Sequence, residues 1–283
     1  MLTRDSLPQL RQCTMASAHD TTVPAPLLEF RDVTVMKEGK KVLDSLAVTL
    51  LEGEHIAILG PNGAGKSSFI KTITREYYPV NREDMIFRIW GRERWHVFDL
   101  RALLGVVSND LQYTFTREIS AREAVISGFF SSVGLFSQHV TCEMEEKTDR
   151  ILEFLEISHL QDRLMTELSS GEARRFLIGR ALVHDPKALI LDEPTNSLDL
   201  HALHTFRRTL RKVAGSGTGI ILVTHNLPDI IPEVSRVILM KDGRFWKDGP
   251  KRDILTASNM EALFSVPGVR VREEEGYFYA TGY

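Results

Sequence analysis

The residues best equipped for chemistry lie in one short stretch, GPNGAGKSS, from Gly60 to Ser68. Gly60, Gly65, Lys66 and Ser67 stand at the spacing G-x-x-x-x-G-K-[ST]. Glycines let the backbone through Pro61, Asn62, Gly63 and Ala64 fold tightly, so that N–H groups converge on phosphate oxygens. Lys66 would supply a cation for the β- and γ-phosphates, and the Ser67 hydroxyl a ligand for Mg²⁺. Ser68 carries the loop into a helix whose N-terminus adds its dipole. Such a cradle needs an acidic residue at the end of another buried strand to hold the metal. ALILDEP provides Asp192, which closes the apolar run Leu189–Leu191. Glu193 follows directly and would face the nucleotide, where a carboxylate polarises an attacking water. The bland readings are a glycine-rich turn that binds nothing and a helix-start acid near Pro194. The strand before Gly60 and the helix after Gly65 argue against the first.

These residues need a scaffold, and the surrounding pattern describes one. HIAILG is a short continuous apolar run, as expected for a strand buried on both faces. A helix is expected from Gly65 to about Tyr78, ended by Pro79. Ahead of them, LLEFRDVTVM and KVLDSLAVTL read as two antiparallel strands with Gly39 in the turn. AREAVISGFF, EEKTDRILEFLEI and EARRFLIGRALVHD carry apolar residues at helical spacing. Strand–helix alternation returns at ALILDEP, LHALHTFRRTLRKVAG and GIILVTH, which implies a mainly parallel sheet covered by helices on both faces. The fold class expected is α/β with an N-terminal antiparallel β subdomain and a helical subdomain at about 115–169. The expected domain division is a disordered leader at 1–26, a catalytic domain at 27–249, and an extension at 250–283 ending in a hairpin.

The totals exclude several classes. The chain has 283 residues, 43% hydrophobic and 26% charged, which suits a large soluble core. A formal net charge of −3 gives no global field for nucleic acid. Two cysteines, Cys13 and Cys142, point to a reduced compartment rather than a disulfide scaffold. No apolar run reaches bilayer length, so action at a membrane would need a partner. A cytoplasmic location follows as the expectation. The leader lacks a secretory h-region, and Met15 offers an alternative start.

The order GPNGAGKSS, LSSGE, ILDEP, NSLD, THN resembles the nucleotide-binding domain of an ABC-type ATPase, from about Leu27 to Gly249. The resemblance implies a P-loop NTPase fold that binds ATP with Mg²⁺ and hydrolyses it. Leu168–Glu172 resembles the signature usually written LSGGQ, whose Ser169, Gly171 and Glu172 would face a phosphate. Gly60–Ser67 would be the Walker A loop and Leu189–Asp192 the end of the Walker B strand, with Glu193 as catalytic base. Asp199, with Ser197 and Leu198, matches the D-loop, and His225 the switch histidine at the γ-phosphate. A P-loop kinase or GTPase would share the cradle but would not explain LSSGE and THN.

Three departures from the family pattern stand out. Ser170 replaces a glycine and Glu172 a glutamine in the signature. Asn109 stands where a metal-contacting glutamine is usual, with Gln112 three residues on as the alternative. No aromatic lies near Met36 and Lys37, so Met36 or the Lys37 stem would meet the adenine. More narrowly, LLGVVSNDLQ with AVISGFFSSVGLF resembles the molybdenum-transport-like ATPases often called photorepair proteins.

In the family, the signature of one protomer closes the ATP held by another. One set of motifs therefore implies a second ABC ATPase domain, arranged head to tail as a homodimer. Ala124–Ser137, apolar and aromatic, sits where an integral membrane subunit would dock, although core packing explains Phe129 and Phe130 equally well. A transporter motor is one reading; a soluble ATP switch in stress response or nucleic-acid maintenance is the other. The absence of a long coiled-coil insert and of a second fused copy favours transport.

Overall fold

Residues 26–108, 115, 118–135 and 137–282 are described in this computed structural model. The leader expected at 1–26 thus lies almost wholly outside the described residues.

The chain opens with a long hairpin of β1 (Pro26–Lys37) and β2 (Lys40–Leu51). Its two turn residues, Glu38 and Gly39, both have positive φ, the geometry that a tight hairpin with twisted strands requires. With β4 (Ile86–Ile89) they form an antiparallel sheet of order β2-β1-β4.

The second sheet has six strands in the order β5-β6-β7-β3-β8-β9. Its centre is β3 (His55–Leu59), β6 (Ala188–Asp192) and β7 (Gly219–Thr224), all parallel, with β5 (Leu104–Val107) and β8 (Arg236–Lys241) beside them. Only β9 (Arg244–Pro250) runs antiparallel, at the edge. Alternate side chains of a strand point to opposite faces, and both faces here are apolar. Ile56 and Ile58 join Ile190, Ile221, Val223 and Phe69 under the antiparallel sheet. Ala57 and Leu59 join Leu189, Leu191, Leu222 and Phe176 on the opposite face. That is why these strands read as unbroken apolar runs.

Helices fill the two layers. α1 (Lys66–Ile73) follows β3, and α2 (Val97–Leu103) precedes β5. α3 (Ala121–Ile126), α4 (Cys142–Phe154) and α5 (Ser170–Leu182) pack on one another, with α6 (Leu200–Gly215) against α5. α1 is shorter than the sequence suggested: Thr74 caps it, and Arg75 at φ +63 turns the chain out of the helix. The carboxyl-terminal segment holds α7 (Lys251–Ile254), α8 (Ala257–Phe264) and a hairpin of β10 (Arg270–Glu274) with β11 (Tyr277–Thr281). Buried Lys251 ties that hairpin down, its ammonium donating to the carbonyls of Ile231, Pro232 and Gly276 at 3.1–3.2 Å.

Candidate functional site

The strand order gathers the candidate residues at one rim. β3, β6 and β7 are adjacent and parallel, so the residues after Leu59, Leu191 and Thr224 emerge side by side at their carboxyl ends. Ligands of open α/β sheets bind in this position. Backbone bonds fix the three exits to each other. Gly60 N–H donates to the Thr224 carbonyl at 3.2 Å, and Glu193 N–H to the Val223 carbonyl at 2.8 Å.

The Gly60–Ser68 loop depends on glycine for room as well as for torsion. A Cβ on Gly60 would lie 2.3 Å from the Met240 carbonyl oxygen. Gly65 has φ +104, and a Cβ there would lie 2.8 Å from the Val42 carbonyl. Asn62 and Gly63 are exposed at the tip, while Ala64 is buried and its carbonyl accepts from Gly243 N–H. The start of α1 is arranged for an anion. α3, α4, α5, α6 and α8 are capped by Ser120, Thr141, Ser169, Asp199 and Thr256. α1 has no side-chain cap and no acid in its first turn. Its first N–H groups are therefore left for an external acceptor. Ser67 is exposed there, and the Ser68 carbonyl accepts from the Thr72 hydroxyl at 2.7 Å.

Lys66 is 4% exposed. Its ammonium donates to the carbonyls of Gly60 and Pro61 at 2.9 and 3.0 Å. It also lies 3.2 Å from Glu193 Oε1. His225 Nδ1 lies 3.2 Å from the same oxygen, without an aligned hydrogen bond. Asn196 Nδ2 donates to the other oxygen, Oε2, at 2.8 Å. Burial pushes the Glu193 carboxyl up, but hydrogen bonds from Asn196 and Lys66 and the nearby Lys66 and His225 outweigh it. The net effect holds the carboxyl below its ordinary 4.5. A carboxylate that stays ionised can accept a hydrogen bond from water. Asp192 ends β6 half-buried, opposite Val223 in register.

The remaining predicted residues are not brought into this cluster. Ser169 and Glu172 bond each other around the start of α5: the Glu172 carboxylate accepts from Ser169 N–H at 2.9 Å and from its hydroxyl at 2.8 Å. These two bonds, chiefly the one from the Ser169 hydroxyl, hold the Glu172 carboxyl below its ordinary value. Ser169 and Ser170 are exposed, so this helix start faces solvent. Gly171 is buried, and a Cβ there would lie 2.7 Å from Ala202 Cβ. Its smallness lets α5 approach α6. Asp199 caps α6 by accepting from Ala202 N–H at 2.8 Å, next to Leu200, which is 87% exposed. Met36 is exposed at the end of β1. Asn109 and Gln112 lie outside the described residues.

Sequence reasoning missed three contributors. Asn196 had a signal, since it stands three residues after Glu193 in the same turn. Arg174 had none: its side chain crosses from α5 to Glu193. Tyr77 is an aromatic that the fold, not the local sequence, brings near Lys37. It follows α1 and brings its ring centroid to 5.8 Å from Lys37 Nζ, with Lys71 Nζ at the same distance. Forty residues separate Tyr77 from Lys37, and only the packing of α1 beneath the β1–β2 hairpin joins them.

Comparison with known proteins agrees with this geometry. The family model described as "ABC transporter" matches residues 43–196. The uncharacterized ABC transporter ATP-binding protein YlmA of Bacillus subtilis (strain 168) is 32% identical, over 85% of this chain and 92% of its own. The hemin import ATP-binding protein HmuV of Bradyrhizobium diazoefficiens is 28% identical, over 89% of this chain and 93% of its own. Among solved structures, cbiO1 of Clostridium perfringens, part of the ABC transporter complex cbiONQ, superposes with a TM-score of 0.71. It is 25% identical and covers 86% of this chain and 96% of its own. The chain belongs to the ATP-binding proteins of the ABC transporter family.

Proposed function

We propose that this chain is the ATP-hydrolysing subunit of a transport system, working as a head-to-tail homodimer that drives a separate integral membrane subunit. The observation that carries the reading is the Glu193 carboxylate, held by Asn196 and Lys66 beside His225 at the mouth of the Gly60–Ser68 loop. The loop N–H groups and Lys66 bind the phosphates. Glu193 accepts a hydrogen bond from the attacking water, and His225 orients it at the γ-phosphate. Tyr77 and the Lys37 stem offer the base an amphipathic wall, with Met36, the preceding strand residue, as the alternative contact.

The donors at the rim fit Mg²⁺, which takes oxygen ligands and few from protein. They are a hydroxyl, Ser67, and a carboxylate, Asp192. Among the described residues no cluster of three His, Cys, Asp or Glu could hold a metal by itself, so such an ion would also need phosphate oxygens. When bound, it would neutralise phosphate charge. Asn109 is proposed as a further ligand.

The signature argues for the second copy. Ser169 and Gly171 begin a helix whose exposed start bonds nothing in its own chain's phosphate loop. The exposed Ser169 and Ser170, with Gly171, Glu172 and the Asp199 turn beside them, would close the nucleotide held by a partner, exchanging the Ser169–Glu172 bonds for phosphate contacts. A membrane partner is supported by the relatives, one of which is named for hemin import. Among the described residues no helix is long and apolar enough to cross a membrane; the location proposed is cytoplasmic, peripheral at the membrane. The narrower likeness to molybdenum-transport-like and photorepair proteins finds no support in those relatives' names.

The test is purification of tagged protein with and without detergent, followed by ATPase assay. Stoichiometric recovery of an integral membrane protein, with hydrolysis stimulated by it, is the expected result. A soluble dimer with unaltered activity and no membrane partner would reject the transport role.

A further inference from the structure

α5 carries two consecutive buried arginines, and they point in opposite directions. Arg175 donates to the carbonyls of Leu155 and Glu156 at the end of α4. Arg174, 3% exposed, reaches the central sheet, where Nη1 donates to the Glu193 carbonyl at 3.3 Å. The same carbonyl closes a turn with Asn196 N–H at 3.4 Å.

The Glu193 backbone needs such support. Its φ is +47, a region that non-glycine residues occupy only when their surroundings over-determine it. Val223 fixes the N–H side of the residue, and Arg174 grips the carbonyl side. Together they set the direction in which the side chain leaves. Arg174 stands only two residues after Glu172, in the helix whose start is the signature. A planar, permanently charged fork suits this crossing better than a flexible ammonium.

We propose that Arg174 is a positioning residue: it holds the Glu193 peptide in its left-handed conformation and thereby links the signature helix to the hydrolytic carboxylate of its own chain. This rests on the reading of Glu193 as the base. Movement of α5, when the signature engages a partner's nucleotide, would then be transmitted to the chain's own site through one guanidinium. The two sites of a dimer would be coupled in this way.

The test uses the full chain carrying Arg174→Met, Arg174→Lys, Glu193→Gln and the Arg174→Met/Glu193→Gln pair. Hydrolysis, ATP affinity and the nucleotide-trapped dimer are measured for each. Arg174→Met is expected to lower kcat at least tenfold with ATP affinity nearly unchanged, and Arg174→Lys to recover part of the loss. In the Glu193→Gln background, Arg174→Met should add no further loss of hydrolysis, since residues that act through each other are not additive. Normal kcat in Arg174→Met, or an equal loss added on top of Glu193→Gln, would overturn the proposal alone. Normal hydrolysis by Glu193→Gln would overturn the base reading and this proposal with it. If Arg174→Met does not fold, the Arg174→Lys and Arg174→Gln proteins carry the same comparison.

Discussion

Lys66 Nζ and Glu193 Oε1 lie 3.2 Å apart. The cation that would hold phosphate and the carboxylate that would activate water are thus partners in this conformation, and incoming nucleotide competes with Glu193 for Lys66. Their separate duties give the first prediction. Glu193→Gln should lower ATP hydrolysis by about 10²–10⁴-fold, the usual contribution of a general base, while ATP still binds. Lys66→Met should lose binding as well. Phosphate release and fluorescent-nucleotide titration distinguish the two. Equal loss of binding in both variants would show that the division of labour is wrong.

The second prediction concerns pH. The Glu193 carboxyl is lowered because its donors outweigh burial. Asn196→Ala removes one donor, so the carboxyl rises and the acid limb of kcat moves to higher pH. The stability effect has the same sign. A depressed folded-state value contributes stability above the unfolded value, lost as pH falls through the folded one. In Asn196→Ala that contribution shrinks. Phosphate release and urea midpoints across about pH 3 to 6, the range in which carboxylates titrate, check both. An acid limb that stays put would count against the Asn196 bond.

Gly171 should tolerate no side chain while Ala202 faces it. Gly171→Ala places a Cβ 2.7 Å from Ala202 Cβ, between two helices. Overpacking of this kind costs about 1–3 kcal/mol. Ala202→Gly alone should cost about 1 kcal/mol through helix propensity. The double variant should be more stable than the two losses added together. Additive urea-denaturation energies would mean that α5 and α6 are not in close contact there.

Leu200 makes a different case. At 87% exposed, it contributes little to the folded monomer. Leu200→Ser should leave stability within about 0.5 kcal/mol of the parent. It follows Asp199, at the turn assigned to the dimer contact, so the same change should weaken the ATP-trapped dimer of the Glu193→Gln protein. Size-exclusion chromatography at several concentrations reads this directly. A dimer of undiminished affinity would place Leu200 outside the interface.

The parts of the site legible in the sequence are those written locally. The Gly60–Ser67 spacing, the apolar run ended by Asp192, and Glu193 one step beyond need no tertiary knowledge, because strand ends and loop torsions are short-range properties. The alternation of strands and helices likewise announced a mainly parallel sheet. What stayed hidden depends on contacts between distant segments. Tyr77 meets Lys37 only because α1 stops at Ile73 and Arg75 redirects the chain. Arg174 meets Glu193 only because α5 packs on β5, the neighbour of β6 in the sheet. Gly171 read as a phosphate contact, and its closeness to Ala202 could not be foreseen without knowing how α5 and α6 pack.

The end of β7 has a consequence of its own. Its last two carbonyls, on Val223 and Thr224, hold Glu193 on one side and Gly60 on the other. The strand works as a ruler whose graduations are peptide groups rather than side chains. Conservative exchange at Val223 should therefore be well tolerated. One inserted residue would displace one exit against the other by about 3.3 Å and part the carboxylate from the loop it serves. Spacing along that strand, more than the identity of its residues, is what this chain can least afford to change.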